Sequence, residues 1–481
     1  MIAFFRSRFA SFFRCAQAQT TLCLTAVLLL GGFPPTAVCA ADAPREVAGT
    51  MANGTRFNIH VPANWAGVLI LNPDLADASD ARRRPLFDAL HRRGYATATR
   101  SRDITLWRVR DGSTDLLQLK TMFVDLFGPP KTTIVFGGSL GGLVTRDASE
   151  TYADAFDGAM PTCGGGAGTL AMYNNRFDTT FVLKALLEPD NQALELLNIR
   201  DDKASAAALK SLLDKALASP QGRARIALAA AISQLQGWPT RAADPPAVDD
   251  YELQLKTIAD AAAGMLTFRK EIEKYAGGNM SWNVGVDYGE MFKLTDARSD
   301  RLVRTLYQAA GLDLDSDLQT LGRAPRIAAD LQAVAWGRSN GTPTGNLKMP
   351  TLVLYTAVDP RAPLSEFRAY EETVRRAGKL ALLRQVGVYR SGHCAFTGSE
   401  QLAGIEALLQ RVSSGSWPST EVEVMNSRAS ALNAATGGTL EEAKFAEFKD
   451  APQYMRRFTA DERVPCAALK QVAAATAQCS P

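Results

Sequence analysis

A serine flanked by glycines is the first candidate for chemistry in this chain. Residues 137–142 read GGSLGG, so Ser139 is the centre of a G-x-S-x-G pattern, and the preceding residues 132–136 (TTIVF) predict a buried strand. Glycines on both sides let a strand turn sharply into a helix and hold the hydroxyl clear of the backbone. Short glycine-rich serine motifs elsewhere are often flexible or phosphate-binding turns. After this strand, the pattern predicts a nucleophile.

A base must take the proton of a serine hydroxyl before the oxygen attacks, and the chain offers three histidines. His60 and His91 precede the serine, in a hairpin strand and a basic helix, and both are predicted to be surface residues. His393 follows the last predicted strand, where a loop returns to the edge of the sheet that carries Ser139. We therefore predict that His393 is the base.

The third group should be an acid that orients the imidazole and stabilises its charged form. Asp359 follows the predicted strand 351–356 and precedes a proline. An Asp-Pro pair at a strand end also serves as an ordinary turn. Because this strand and the histidine loop follow one another, the order serine, acid, histidine predicts a triad of Ser139, Asp359 and His393.

Negative charge that develops on the attacked carbonyl oxygen needs backbone N–H donors. The first predicted donor is Leu140, directly after the nucleophile, at a helix N-terminus that favours negative charge. The second is predicted in the loop after the strand 67–71, at Asp74 or Leu75.

The elements that must position these residues alternate along the chain after a hairpin at 45–62. Predicted strands cover 67–71, 96–99, 132–136, 156–162, 351–356 and 380–388, and predicted helices cover 84–93, 114–127, 143–152, 364–377 and 399–412. This alternation is typical of an α/β fold with a mostly parallel sheet flanked by helices.

The strand pattern stops between 167 and 347. Alanine- and leucine-rich helical segments replace it, among them 204–218, 223–234, 251–274 and 300–310. We predict a large helical cap at 167–347 and a core formed by 41–166 and 348–481, which ends in a less regular tail.

The nucleophile turn, the acid loop and the histidine loop together make the chain resemble the α/β-hydrolase superfamily over residues 45–166 and 348–412. In that superfamily an insertion after the sixth strand usually covers the substrate pocket, so the resemblance implies that the cap is a lid, with 277–282 as its lid-like loop. Segments 157–164 and 392–396 are similar to a group of exported bacterial esterase-like and peptidase-like hydrolases.

Two positions depart from these relatives. Residues 72–75 read NPDL where many members have a His-Gly pair near the oxyanion donor. Gly138 stands where tannase and feruloyl esterase relatives have cysteine, which argues against a disulfide at the residue before the serine.

The first 40 residues have the features of a secretory signal peptide. They contain three arginines and no acidic residue, and a short apolar core at 22–33 ends in a proline pair. The core is shorter than the roughly 20 residues that span a bilayer. We predict cleavage after residue 40 and a secreted or periplasmic protein with no stable membrane insertion.

Charge gives little reason to expect a nucleic acid or an anionic membrane as partner. Loss of the signal removes three of the 53 Lys and Arg, which leaves 50 against 50 Asp and Glu. A small-molecule or oligomeric ester is the expected substrate. No cofactor or metal is expected, because the histidines lack ligand spacing.

Four cysteines follow the signal, and an even number in an oxidising compartment predicts two disulfides. Cys163 ends a predicted strand and Cys394 follows His393, so we predict that these two pair on the active-site face. Cys466 would then pair with Cys479. The other pairings, and free buried thiols, remain open alternatives.

These residues predict a serine hydrolase that cleaves carboxylic esters through an acyl-enzyme on Ser139. The alternative is a secreted serine peptidase of the aminopeptidase type, because the same triad and a helical cap serve both reactions. A protein that only binds a ligand is disfavoured, since all three members of the triad are present.

Overall fold

The computed structural model describes residues 43–74, 83–102, 106–448, 456, 464–470 and 479–480. The predicted signal peptide, residues 1–40, lies outside the described residues. None of the helices within these ranges is long and apolar enough to cross a membrane.

Eleven strands occur in the described ranges. They are β1 Arg45–Thr50, β2 Arg56–Val61, β3 Val68–Asn72, β4 Tyr95–Arg100, β5 Thr132–Gly138, β6 Gly158–Thr162, β7 Thr351–Val358, β8 Leu383–Ser391, β9 Phe445–Ala446, β10 Val464–Pro465 and β11 Cys479–Ser480. The first nine form one sheet in the order β1-β2-β4-β3-β5-β6-β7-β8-β9, and the last two form a separate pair. From β4 to β8 in this order the neighbours are parallel, whereas β1, β2 and β9 pair antiparallel at the edges.

Helices connect the parallel strands and build the cap. In the described part of the chain they are α1 Arg84–Arg92, α2 Val109–Phe127, α3 Leu140–Thr151, α4 Gly168–Leu187, α5 Asp202–Leu217, α6 Pro220–Ser233, α7 Tyr251–Ala263, α8 Arg269–Ala276, α9 Tyr288–Lys293, α10 Ala297–Ala310, α11 Leu314–Arg323, α12 Leu331–Ser339, α13 Leu364–Arg376, α14 Gly398–Ser414 and α15 Val422–Ala435. Two short 3-10 turns lie at Leu380–Leu382 and Cys466–Ala468.

The central strands are apolar on both faces, which explains why helices cover the sheet on each side. Leu69 and Val135 pack in one cluster with residues of α2 and α3. Ile70 and Ile134 point the other way, into a cluster with residues of α1 and α14. The predicted α/β class with a mostly parallel sheet is confirmed.

The chain between β6 and β7 is described throughout, and its named elements are the nine helices α4 to α12. Their apolar faces form a core of their own, to which Phe177, Leu228 and Val303 contribute. At the base of this cap, Tyr173 shares a second cluster with Leu140 of α3. The first turns of the cap therefore belong to the same hydrophobic cluster as the helix that follows Ser139.

Two local predictions in the cap were wrong. The predicted helix 251–274 is divided into α7 and α8, because the chain turns between them and Phe268 takes a left-handed backbone with φ 65°. Residues 277–282 do not form an exposed lid-like loop. Asn279 and Ser281 are fully buried, and the Ser281 hydroxyl accepts a 2.8 Å hydrogen bond from the Arg269 guanidinium.

The C-terminal tail contacts both the sheet and the cap, which its weak sequence pattern did not predict. Phe445 pairs with Val388 of β8 at the sheet edge. Further on, the Ala329 N–H of the cap donates to the Ala468 carbonyl at 2.8 Å. Arg456 forms hydrogen bonds of 2.6 and 2.8 Å with the buried Asp178 carboxylate of α4.

A buried ion pair anchors the loop that follows β3. Arg100 of β4 lies 3.0 Å from Asp115 of α2, and the two side chains are 1% and 3% exposed. The Arg100 guanidinium also donates to the Pro73 carbonyl at 3.4 Å, next to the nucleophile turn. The pair therefore joins β4, α2 and the loop on which the second oxyanion donor was predicted.

We expect Arg100→Met to lower the free energy of unfolding by about 3 kcal/mol or more, because it leaves the Asp115 carboxylate buried without its guanidinium. Urea titration at neutral pH measures this loss. Arg304→Met is the matched control, since Arg304 and Asp300 form an exposed pair whose loss should cost less than about 1 kcal/mol. Equal losses in the two variants would contradict this role for the pair.

Candidate active site

Ser139 lies on a strained turn between β5 and α3. Its backbone has φ 57° and ψ −122°, a left-handed value that non-glycine residues rarely adopt. The neighbouring glycines have no room for side chains: a Cβ at Gly137 would lie 2.5 Å from the Pro73 side chain, and one at Gly141 would lie 2.7 Å from the Asp74 carboxylate. The G-x-S-x-G pattern is thus explained by close packing against the loop after β3.

The structure brings the three predicted triad residues together in one chain of hydrogen bonds. His393 Nε2 lies 2.7 Å from Ser139 Oγ, and His393 Nδ1 lies 2.9 and 3.0 Å from the two Asp359 oxygens. The Asp359 side chain is 1% exposed, and its Oδ1 also accepts the Arg361 N–H at 2.8 Å. With Nδ1–H donated to the carboxylate, Nε2 is left to accept the proton of the serine hydroxyl.

Backbone and cap contacts hold the histidine loop. The Gly392 N–H donates to the Val358 carbonyl at 2.8 Å, which ties the histidine loop to the strand that leads to Asp359. The Ser391 hydroxyl donates to the Trp238 carbonyl of the cap at 2.6 Å, and the Arg241 N–H donates back to the Ser391 carbonyl at 2.9 Å. The cap therefore supports the residues next to His393 directly.

The predicted disulfide between Cys163 and Cys394 is present, with a Cα–Cα distance of 5.3 Å. It joins the end of β6 to the residue after His393. Ser139 is close to the same point, since its N–H donates to the Thr162 carbonyl at 3.0 Å. Cys466 is also disulfide-bonded, while the side chain of Cys479, its predicted partner, lies outside the described residues.

The two sides of the predicted oxyanion hole differ. The Leu140 N–H is at the first position of α3, where a helix offers it no internal acceptor. The Asp74 N–H donates instead to the Asn72 side chain at 2.8 Å, so this structure uses it within its own loop. Leu75 lies outside the described residues.

A cavity of about 210 Å³ opens beside Ser139 and His393. Part of its wall is apolar and is formed by Leu106, Trp107, Leu143, Met172 and Phe268. Three guanidinium groups complete it, those of Arg102, Arg176 and Arg361. A second cavity of about 480 Å³ also reaches His393, Arg176 and Arg361, but Ser139 is not part of its wall.

Several of these residues were missed by sequence reasoning. Trp107 and Phe268 both have left-handed backbones, with φ 59° and 65°, and their rings lie 5.9 Å apart in the cavity wall. Bulky residues in this conformation are strained, and such strain concentrates at functional sites. The sequence carries no local signal for such a conformation in tryptophan or phenylalanine.

His60 and His91 are not part of the wall of this cavity, and both side chains are partly exposed. Their rings stack with centroids 3.8 Å apart, and His91 lies 2.9 Å from the Thr97 hydroxyl. Burial, with a smaller contribution from His60, lowers the pKa of His91 to about 4. In the described ranges, no three His, Cys, Asp or Glu side chains are grouped so that they could hold a metal ion.

A buried carboxyl group lies behind the active site. Glu366 of α13 is fully buried, and its carboxylate would lie 2.6 Å from a Cβ at Gly165. Burial raises the pKa of Glu366 from 4.5 to about 8, although the nearby Arg146 opposes the shift. Arg146 in turn donates to the Gly165 carbonyl at 2.6 Å, in the loop that follows Cys163.

The strand order and the hydrogen-bonded serine, histidine and aspartate define a hydrolase of the α/β-hydrolase fold. A relative with an assigned activity is o-phthalyl amidase from Xanthobacter agilis, which is 29% identical over 444 residues. The match covers 85% of this chain and 96% of that protein. No protein-family model matches the chain.

Solved structures similar to this chain include two enzymes of low sequence identity. Feruloyl esterase B from Aspergillus oryzae is 12% identical, with a TM-score of 0.36 and coverage of 86% of this chain and 88% of that chain. Candida antarctica lipase A is also 12% identical, with a TM-score of 0.36 and coverage of 78% of both chains. A likeness of this size carries no argument about activity.

We expect the double variant Cys163→Ser/Cys394→Ser to lose about tenfold to a hundredfold in kcat, because a small displacement of His393 from Ser139 is enough to slow the reaction. Steady-state kinetics with any ester that the enzyme cleaves measures this. Cys466→Ser, which removes a disulfide cysteine of the tail, should leave kcat within about twofold. An unchanged kcat in the double variant would show that the Cys163–Cys394 bond does not position the histidine.

We expect the Tm of the Glu366→Gln variant, relative to that of the wild type, to be higher at pH 8 than at pH 5. The folded state keeps the Glu366 carboxyl protonated up to about pH 8, whereas the unfolded chain releases this proton near 4.5, so the carboxyl lowers stability as the pH rises through this window. Glutamine has no proton to lose. Thermal melts at both pH values measure the difference in Tm between variant and wild type, and a difference that shrinks with rising pH would contradict the assignment.

Proposed function

We propose that the protein is a serine acyl hydrolase that cleaves carboxylic esters through an acyl-enzyme on Ser139. The observation that carries this proposal is the hydrogen-bond chain from Asp359 through His393 to Ser139 Oγ, at the edge of a cavity. A serine alone is a weak nucleophile, and this arrangement gives it a base that is itself oriented.

In the proposed reaction, His393 Nε2 takes the hydroxyl proton while Oγ forms a bond with the acyl carbon. The negative charge on the carbonyl oxygen is stabilised by the Leu140 N–H at the start of α3. His393 then gives its proton to the leaving oxygen as the bond to the alcohol breaks. Water, activated by the same histidine, releases the acid from Ser139 and restores the hydroxyl.

Amides are a second candidate for the cleaved bond, and one specific observation favours them. The relative at 29% identity is named o-phthalyl amidase, and the match covers most of both chains. The same residues perform both reactions, with a nitrogen as the leaving atom in an amide. We propose that the chain accepts esters as the more reactive substrates and also accepts amides of its preferred acid.

The aminopeptidase alternative has less support. An enzyme that releases residues from a peptide N-terminus needs acidic groups for the free amine, whereas the described residues around the cavity beside Ser139 include three arginines and no Asp or Glu. Export to the periplasm or the medium remains our proposal, supported by the sequence of residues 1–40 and by the disulfide near the site.

We expect purified wild-type protein to hydrolyse 4-nitrophenyl acyl esters and the corresponding 4-nitroanilides, and Ser139→Ala to lower kcat for both by at least about a thousandfold. The release of nitrophenol or nitroaniline measures the rates. Faster cleavage of the anilide than of the ester would make the amide the preferred bond.

Ser413→Ala provides the matched control, because Ser413 is an exposed serine on α14 and undergoes the same change. Its kcat should equal that of the wild type. A Ser139→Ala protein that keeps its activity would contradict the proposed nucleophile, whatever the substrate.

A further inference from the structure

Two arginines in the wall of the cavity beside Ser139 form no ion pair with any of the described residues. Arg176 of α4 is 4% exposed, and in the described part of the chain it forms no ion pair. Its guanidinium donates to the Thr267 carbonyl at 3.3 Å and lies 4.9 Å from the centre of the Tyr173 ring. Burial of a guanidinium without an ion-pair partner is costly. The charge of Arg176 also acts on the buried Glu366 carboxyl, but burial raises the pKa of that group to about 8, so an anion in the cavity would supply the missing negative charge.

Arg361 is the second of the pair. It lies two residues after Asp359 and is half-buried, and within the described ranges it also has no ion-pair partner. The carboxylate of Asp359 is engaged by His393 at 2.9 Å and by two backbone N–H groups of its own loop. Burial, together with the charge of Arg176, lowers the pKa of Arg361, although the charge of Asp359 opposes the shift.

Arg102 differs from these two, although it lines the same cavity. Its guanidinium lies 3.3 Å from the Asp74 carboxylate, with which it forms an ion pair. Of the three arginines in the cavity wall, Arg176 and Arg361 are therefore the two that form no ion pair within the described ranges.

The two cavities suit different parts of a substrate, the acyl group and the leaving group. The acyl carbon must reach Ser139 Oγ, so the acyl group belongs in the 210 Å³ cavity that Ser139 lines. The leaving group receives its proton from His393, and the larger cavity reaches His393 without Ser139. Arg176 and Arg361 line both cavities, so they lie close to the bond that is cleaved.

The smaller cavity suits a flat apolar body that ends in a negative charge. Its wall includes the strained aromatic pair of Trp107 and Phe268, and Leu143 and Met172 add apolar surface. An aromatic ring packs well on such a wall. Guanidinium groups bind carboxylates through paired hydrogen bonds, and they do so most strongly where water is excluded.

We propose that Arg176 and Arg361 bind a second carboxylate on the acyl group, so that the preferred substrates are half-esters and half-amides of aromatic dicarboxylic acids. The inference rests on the proposed function of Ser139 and names the substrate class of that site. The arginines select and orient the substrate and exchange no proton with it. A carboxylate on the leaving group is the competing arrangement, and the experiment separates the two.

The test compares three kinds of substrate on purified wild-type and variant protein. The neutral substrate is 4-nitrophenyl benzoate. The 4-nitrophenyl esters of 2-carboxybenzoic and 3-carboxybenzoic acid carry the charge on the acyl ring, and 3-carboxy-4-nitrophenyl benzoate carries it on the leaving group. The spontaneous hydrolysis of each ester is measured with Ser139→Ala and subtracted. We expect the wild type to prefer at least one carboxybenzoyl ester over the neutral ester by about tenfold or more in kcat/KM.

Arg361→Gln should remove most of that preference, about tenfold to a hundredfold, through a higher KM for the carboxybenzoyl ester. The kcat/KM for the neutral ester should fall by a factor at least about tenfold smaller than that for the carboxybenzoyl ester, and Arg361→Lys should restore part of the loss. Arg304→Gln removes one exposed arginine of the cap and should change kcat/KM for neither the carboxybenzoyl ester nor the neutral ester. The proposal is overturned if the wild type prefers the neutral ester, if Arg361→Gln slows both equally, or if the loss falls on the ester with a charged leaving group.

Arg176→Gln tests the buried member of the pair and should also lower the preference for the carboxybenzoyl ester. Loss of a buried side chain can, however, prevent folding. A binding measurement that needs no turnover covers this case. Phthalate or isophthalate should raise the Tm of Ser139→Ala protein more than benzoate does, and Arg361→Gln in that background should abolish the difference. If no ester is cleaved in a Ser139-dependent way, the proposed function fails, while this Tm difference still decides whether the anion site exists.

Discussion

The hydrogen bond between His393 Nε2 and Ser139 Oγ, 2.7 Å long, joins residues 254 positions apart in the chain, and the proposed chemistry depends on it. A parallel sheet makes such a contact possible because the carboxyl ends of its strands meet at one edge. Ser139 follows β5, Asp359 follows β7 and His393 follows β8 at this edge. The Cys163–Cys394 bond then fixes the end of β6 to the histidine loop, so four successive strand ends hold one another.

The cap both contacts the loops at this edge of the sheet and forms part of the cavity wall. Through Trp238 and Arg241 it forms hydrogen bonds with Ser391, two residues before His393. Its helix α4 also shares a hydrophobic cluster with the helix that begins after Ser139. The cap also supplies Arg176 and Phe268 to the cavity wall, whereas Arg361 and Trp107 come from the core. The cavity beside Ser139 is thus built where cap and core meet, and its charge and its apolar surface come from both.

The sequence was sufficient for the parts of the site that follow strong strand patterns. Ser139, Asp359 and His393 each come shortly after a run of apolar or β-branched residues, and their order along the chain identifies the sheet edge they share. Cys163 and Cys394 could be paired by the same argument. The helical character of the chain between β6 and β7 was recognisable because alanine- and leucine-rich segments replace the strand pattern there.

Other parts of the site depend on contacts between residues far apart in the sequence, and no local sequence pattern predicts them. Arg176 and Asp178 look like solvated positions on a helix, but α4 is buried on all sides between cap and core, where periodicity no longer distinguishes an inner from an outer face. Trp107 and Phe268 have backbones that only tertiary packing can impose. The Asp74 N–H, predicted as an oxyanion donor, is taken by the Asn72 side chain, a detail of loop geometry.

The most direct test of the central claim is to trap the acyl-enzyme. Wild-type protein mixed with excess 4-nitrophenyl ester is quenched in acid during the first turnover, digested, and analysed by peptide mass spectrometry. We expect the mass of the acyl group on the peptide that contains Ser139, and no such adduct when His393 is replaced by glutamine. Turnover with the acyl group on another residue, or with no covalent adduct at any time point, would contradict it.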